Sequence, residues 1–287
     1  MSFFKNQKGK IRGGWKISLW LILVVLVTVG GTHLITHLAI PALQYELACN
    51  YAENGDMDNA ILAFRALGGY KDSEARITKI LFERQQVDLS DLHVGSTFTM
   101  GLYEQDGIEN GPEEIEWIVL AVDGSKALVI SRYALDSRPF NDTFADITWK
   151  DCSLRKWLNN VFYETAFSKA QQNLIRLSET PAHRNPEYAT LSGEDTADYV
   201  YLLSLTEVEI YLSNTPYASC MVTPYGIQKK AYIATAQGEC WWWCRTPGND
   251  TIFASGVNPL GVVSTRGNNV NYIHAAVRPA MWIDING

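Results

Sequence analysis

The sequence predicts an α+β protein tethered to a membrane, with an amino-terminal transmembrane helix, a short α-helical stalk and a mixed domain at the carboxyl end. Three observations carry that prediction. Twenty-four uncharged residues run from Ile17 to Ile40. Glycine-punctuated helical patterns fill residues 41–87. From residue 88 onward, short strand patterns, glycine turns and scattered helices follow one another without βαβ alternation, which argues against a parallel nucleotide-binding sheet.

Residues 1–16 carry Lys5, Lys8, Lys10, Arg12 and Lys16, and the next charge is Glu46. A helix over residues 17–40 measures about 36 Å, enough for a hydrocarbon core of roughly 30 Å. Positive charge stays on the cytoplasmic side, so the tail is expected inside and everything after Pro41 outside, with Trp15 and Trp20 at the near interface. A cleaved signal peptide is the alternative. No small-x-small site stands at the right distance, because His33-Leu34-Ile35-Thr36-His37 intervenes, so the segment reads as an uncleaved signal anchor in the lipid bilayer. His33 and His37 suit the outer interface, and their spacing would also allow a metal or a pH response.

The net charge of −7 understates how acidic the rest of the chain is, since five of the 24 basic residues precede any carboxylate. Nucleic-acid binding rests on basic neutralisation of phosphates, so that partner class is set aside.

Residues 41–87 predict helices over Ala42–Asn54, Met57–Leu67 and Ser73–Arg84. Asp56 or Asp58 and Asp72 or Ser73 suit the N-caps, and Gly55 and Gly68 suit left-handed C-terminal positions. Ala60, Phe64 and Leu67 share a face. Tyr51–Leu67 resembles part of a tetratricopeptide repeat, but one repeat is short of the about three that bury a solenoid face. The segment is expected to act as a stalk.

Beyond it, Ser96–Tyr103, Ile115–Val122 and Lys126–Ser131 read as strands, the last two joined by the hairpin signal Asp123-Gly124-Ser125. Ser153 is expected to cap a helix to Leu158, and Lys169–Leu177 and Glu207–Tyr211 read as further helices. Val200–Ser204, Cys240–Cys244, Ile252–Val257, Gly261–Ser264 and Val277–Ile283 read as strands. The most distinctive of these is Cys240-Trp241-Trp242-Trp243-Cys244, expected as a central strand ended by Pro247-Gly248. Alternation points Trp241 and Trp243 one way and Cys240, Trp242 and Cys244 the other. All three rings can be core; alternatively, Trp241 and Trp243 lie under a binding surface.

Several stretches together carry a resemblance: Gly101–Asp106, Ile115–Leu120, Leu154–Asn159, the triple tryptophan and Val277-Arg278-Pro279-Ala280. Residues 92–285 resemble the bacterial DUF6273 family, a domain of unknown function that often follows a transmembrane helix and a Gly-Tyr-Lys-Asp-Ser stretch, matched at Gly69–Ser73. More distantly, the carboxyl end resembles the C-type-lectin-like fold shared with formylglycine-generating enzymes. That resemblance implies paired terminal strands and a display surface over residues 245–274. Its ligand-binding residues would be Arg245, Asn249, Arg266, Asn268, Asn269 and Tyr272, with Asp250, Asn258 and Asn271 nearby, and the strand face of Trp241 and Trp243 would lie beneath them. Such short polar and aromatic groups suit adaptable hydrogen bonding and stacking.

The cysteines stand at 49, 152, 220, 240 and 244. On a strand, Cys240 and Cys244 are about 13 Å apart, beyond disulfide reach. Cys220–Cys240 and Cys152–Cys240 remain open pairings, as do buried free thiols. Cys240 and Cys244 depart from the copper-binding thiol pattern of the formylglycine-generating enzymes, and no zinc spacing is present. The calcium-type lectin tripeptides are absent. Asp142, Asp146 and Asp151 could hold a cation or form a solvated loop face. No nucleophile elbow, phosphate loop or His-Glu-x-x-His occurs, and no metal or cofactor is expected. Arg245 and Arg278 are expected to anchor core strands against Glu116 or Asp284, with Trp242, Cys220 and Cys240 as structural partners. The resulting expectation is a membrane-anchored extracytoplasmic binding protein whose ligand is a surface glycan, wall polymer or protein. The rivals are an oxidase using Cys240 and Cys244, a hydrolase using carboxylates, and an assembly protein acting through its stalk.

Overall fold

The computed structural model describes residues 39–84, 87, 89, 91–108 and 111–285. The basic tail, His33, His37 and the anchor as far as residue 38 lie outside the described residues, and among those described no helix is long and apolar enough to cross a membrane. The chain divides into two compact units, one ending at Arg84 and the other beginning at Gln85.

The first unit holds α1 (Ile40–Glu53), α2 (Met57–Ala66) and α3 (Ser73–Arg84). Gly55 and Gly68 take the positive φ that ends α1 and α2. Asp56 caps α2, accepting from the Asn59 amide at 3.3 Å. Ala60, Ile61 and Phe64 meet Tyr45 and Ala48 in a small core, while Leu67 is only half-buried. The Gly69–Ser73 stretch docks onto α1: the Tyr45 hydroxyl donates to Asp72, and the Lys71 ammonium sits 4.2 Å above the Tyr45 ring.

The second unit is α+β. A four-stranded antiparallel sheet has the order β1 (Thr97–Tyr103), β2 (Glu113–Asp123), β3 (Lys126–Ser131) and β11 (Ala280–Asp284). A five-stranded sheet has the order β4 (Asp136–Ser137), β10 (Ala276–Val277), β7 (Trp242–Pro247), β8 (Phe253–Val257) and β9 (Val263–Asn269). A small ladder pairs β5 (Ser178–Thr180) with β6 (Thr196–Asp198). Asp123 pairs with Lys126 across Gly124-Ser125, so the predicted hairpin forms, with Gly124 at φ +60°.

Several expectations change. The terminal strands share one sheet but lie at its opposite edges instead of pairing. The single strand expected over Val277–Ile283 is two, because Pro279 has no amide to give a ladder and the chain crosses from one sheet to the other at Arg278-Pro279. Val200–Ser204 is buried as expected, but it forms a single bridge, Tyr201 to Ala280, and no strand. The helix expected at Ser153–Leu158 continues: α4 (Ser153–Trp157) runs through a π-helical turn (Leu158–Phe162) into α5 (Tyr163–Ala166). Its cap is Cys152, whose sulfur accepts from the Arg155 amide at 3.4 Å, and Ser153 is the first helical residue. Lys169–Leu177 shortens to α6 (Lys169–Gln172), held by a Ser168–Gln171 capping box. The last helices are α7 (Leu205–Tyr211) and α8 (Pro224–Gln228).

The tryptophan strand is central, as expected, though β7 begins at Trp242 and runs to Pro247. Trp241 and Trp243 do share a side, their rings 4.7 Å apart and edge-on. Trp243 is fully buried, with its indole N–H donating to Arg138 O at 2.9 Å and its ring 5.8 Å from Phe140. Trp242, on the other side, donates to Ala218 O and faces the Arg278 guanidinium at 5.2 Å. Trp241 is half-buried across Gly256, where a Cβ would stand 2.4 Å from the indole, so only glycine fits there.

Candidate binding cleft

The residues expected to meet a ligand divide between core and surface. Arg245 is 4% exposed; it donates to Leu202 O at 2.8 Å and Pro181 O at 3.2 Å and pairs with Glu207. Its partner is thus neither Glu116, which pairs with Arg132, nor Asp284, which pairs with Arg176. Among the described residues Arg278 has no carboxylate partner of that kind: it is buried and serves the carbonyls of Ser131 and Tyr217 at 3.0 and 2.6 Å. Trp243 and Arg245 therefore offer no surface to a ligand. Arg266, Asn269 and Asn271 are exposed, and Asn249, Asn268 and Tyr272 half-buried. Arg266, Asn268 and Asn269 ride on β9, an edge strand of its sheet, and the Tyr272 amide donates to Asn269 O. Those four residues lie on β9 and in the turn that follows it.

The acidic residues expected together are not. Asp142, Asp146 and Asp151 are exposed; Thr251 donates to Asp146, and the Asp142 amide donates to Ser153. The close carboxylate group among the described residues is instead Glu104, Asp106 and Glu113. Each accepts backbone amides: Glu113 from Gln105 at 2.7 Å, Glu104 from Gly107 at 2.7 Å, Asp106 from Ile108 at 2.7 Å. These bonds shape the turn after β1. Burial first, and then the neighbouring Asp106 and Glu104 charges, raise the Glu113 carboxyl above its ordinary range.

His183 Nδ1 lies 2.8 Å from Ser204 Oγ, a contact that invites comparison with a hydrolase pair. Ser204 is fully buried, however, and its hydroxyl joins Glu207 in the capping box of α7. The serine stands between the two other groups, so Glu207 does not orient the imidazole as the third member of a triad would.

An open cavity of about 380 Å³ lies elsewhere, between the turn after β1 and the segment 221–238. Met221, Val222, Pro224, Ile227, Ile233 and Ala236 give it an apolar lining. Gln105, Asp106, Tyr133, Thr223 and Gln237 supply polar groups. Met221, Ile227 and Ile233 are exposed although apolar, as is Tyr232 beside them. A concave, mostly apolar surface with a few polar groups is the usual form of a binding site.

Each wall has a local cause. Thr223 caps α8, accepting from the Gly226 amide, and Pro224 takes the first helical position, where a missing N–H costs nothing. The Thr223 amide donates to Ala134 O at 3.0 Å and the Tyr225 amide to Gln105 O at 2.8 Å, fixing α8 against both neighbours. The far end of the segment is held by two separate antiparallel bridges, Met221 with Glu239 on one side and Ile233 with Cys240 on the other. Behind the cleft, Tyr103 donates to the buried Asp136 at 2.7 Å, and its ring meets Trp157, Phe162 and Tyr225. Of the cleft residues only Gln105 and Asp106 stand in a stretch singled out from the sequence, and there as part of a family motif; for the opposite wall the cue available was Thr223-Pro224, a cap followed by proline.

Comparison with protein families matches residues 124–285 to the domain of unknown function DUF6273. The chain belongs to the DUF6273 family. The match spans more than half of the chain and begins within the β2–β3 hairpin. In this DUF6273 protein, Gly101–Asp106 and Ile115–Leu120 therefore precede the matched region, which contains both arms of the cleft segment and all of the tryptophan strand. No curated protein and no solved structure matches the chain.

Proposed function

We propose that this protein is a membrane-anchored binding protein whose DUF6273 domain stands outside the cytoplasm and receives an apolar segment of a protein partner in the cleft. The carrying observation is the open, apolar cavity with exposed Met221, Ile227 and Ile233 at its surface. Apolar side chains grouped at a concavity mark binding grooves. The lining favours a protein segment over a glycan, since one aromatic side chain, Tyr133, accompanies six aliphatic ones. The anchor and the outward orientation rest on the charge asymmetry around residues 17–40. The lectin-like affinity of the domain is part of the proposal too, supported by the ordered motifs of the carboxyl end and by the exposed Arg266, Asn269 and Asn271.

A second reading places a glycan on Arg266, Asn268, Asn269 and Tyr272, favoured by their clustering at the β9 edge. One experiment separates the two. The detergent-solubilised full chain is titrated with the neutral apolar dye N-phenyl-1-naphthylamine and, separately, incubated with cell-envelope protein and wall-polymer fractions. Ile227→Glu with Ile233→Glu should abolish protein capture and the dye fluorescence in excess of protein-free detergent micelles, while the β9 quadruple alanine variant retains both. Capture of wall polymer alone, lost only in the β9 variant, would overturn the cleft in favour of the glycan reading.

A further inference from the structure

The cleft wall contains a chemical device that its binding role does not require. Cys220 and Cys240 face each other across the antiparallel pair at the base of the segment: the Cys240 amide donates to Cys220 O at 2.9 Å, and the Val222 amide to Gly238 O at 3.0 Å. With Met221 opposite Glu239, this register makes the two cysteines direct cross-strand neighbours. Such neighbours have Cα atoms about 5.5 Å apart, within the 4.4–6.8 Å that a disulfide spans. The Cys240 thiol donates to Cys220 O at 3.2 Å, which keeps its sulfur on the Cys220 side of the pair. Cys152 and Cys244 are buried at other sites, the first as a helix cap and the second in β7, and Cys49 belongs to the other unit.

We propose that Cys220 and Cys240 are the disulfide-forming pair of this protein, closing residues 221–239 into a covalent loop that carries one wall of the cleft. Burial alone would raise the Cys220 thiol, but the hydrogen bond from Cys240 and the charge of Arg278 outweigh it and bring the thiol down to about 7; Cys240 is raised correspondingly. Both sulfurs are buried, so exchange proceeds from a local opening of the pair in which Cys220, the readier to ionise, meets the reagent first. In the presence of a low-molecular-weight disulfide, the Cys220 thiolate attacks one sulfur and forms a mixed disulfide, releasing one small thiol. The Cys240 sulfur, giving up its proton, then displaces the second small thiol. The protein dithiol loses two electrons and two protons; the small disulfide takes up both as two thiols. Met221, Ile227, Ile233 and Gly238 all lie within the loop so closed. This inference holds whichever ligand the cleft takes.

The test uses the full chain in detergent, equilibrated with oxidised and reduced glutathione, quenched in acid, alkylated under denaturing conditions and digested for mass spectrometry. The expected result is one linked peptide pair, Cys220 with Cys240, two hydrogens lighter than the sum of its parts, with Cys49, Cys152 and Cys244 alkylated. The oxidised form should melt roughly 6–12 °C above the reduced form. Five alkylated cysteines, or a different linked pair, would overturn the proposal. Cys240→Ala adds a second reading: the melting shift between oxidising and reducing conditions should vanish in the folded variant, and a shift of the same size there would count against the proposal.

Discussion

Removing the Glu207 carboxylate should destabilise the second unit more than most surface changes could, because it strands a buried charge. Arg245 is 4% exposed and Glu207 is its carboxylate partner. Breaking such a pair costs about 3–5 kcal/mol, because the remaining ion keeps its desolvation penalty and loses its attraction. Glu207 also accepts the Ser204 amide at 2.7 Å in the α7 capping box, so Glu207→Ala forfeits a further ~1 kcal/mol. For a unit of this size the main term corresponds to a melting shift of roughly 6–20 °C. The assay is thermal and urea unfolding of Glu207→Ala, Arg245→Met and the double variant Glu207→Met/Arg245→Met. The double variant should be more stable than Glu207→Ala, since no charge is left stranded. A Glu207→Ala cost below about 1 kcal/mol, with loss of ligand capture in place of stability, would refute the reasoning and return Arg245 to the binding surface.

Trp243→Ala should cost about 3–5 kcal/mol by urea unfolding, as a fully buried indole whose N–H also satisfies Arg138 O. Gly267→Ala should cost more than about 2 kcal/mol, since Gly267 sits at φ +77° and a Cβ would lie 2.3 Å from Ala254 O in the β8–β9 bulge. The Tyr45 phenol is raised from about 10 to about 12, chiefly by its hydrogen bond to Asp72. A raised folded value means that the bound proton stabilises the helical unit fully below about pH 10, and that this contribution is lost as pH rises through about 12. Circular dichroism of the helices against alkaline pH should show that loss in the wild type and none of it in Tyr45→Phe.

Local chemistry made part of this fold legible. Gly124 between two β-branched runs forced a hairpin, the cap signal at Asp56 or Asp58 placed the start of α2, and strand alternation put Trp241 and Trp243 on one side. The misreadings have physical causes. Cys240 looked like the start of the tryptophan strand because its side chain continues the apolar alternation, yet its amide is committed to Cys220 outside that strand. Val200–Ser204 looked like a strand because it is apolar and buried. Its carbonyls, however, are used by the Asn159 side chain, by Arg245 Nη1 and by the Arg245 amide in place of a ladder. Arg245 reads from the sequence both as a core anchor and as a ligand group; it is a core anchor, but its carboxylate partner was not legible because Glu207 is 38 positions away. The cleft was least legible: its two sides come from residues 105–106 and 221–238, and the second stretch has neither helical nor strand periodicity.

The same irregularity bears on how the cleft can work. The five-stranded sheet holds its large side chains in place by packing and by indole hydrogen bonds, so a ligand cannot reshape β7 without opening the core. Residues 221–238 lie outside both large sheets. They are tied down at Ala134 by Met221 and Thr223, at Gln105 by Tyr225, at Gly107 by Gln228 and, at the base, through the Cys220–Cys240 pair. Of those ties only the last can become covalent. Reducing it should leave the tryptophan core and its near-ultraviolet dichroism unchanged while weakening dye binding in the cleft. A change in both together would show that the wall and the sheets unfold as one unit, and that the cleft is part of the core and not a separately adjustable surface.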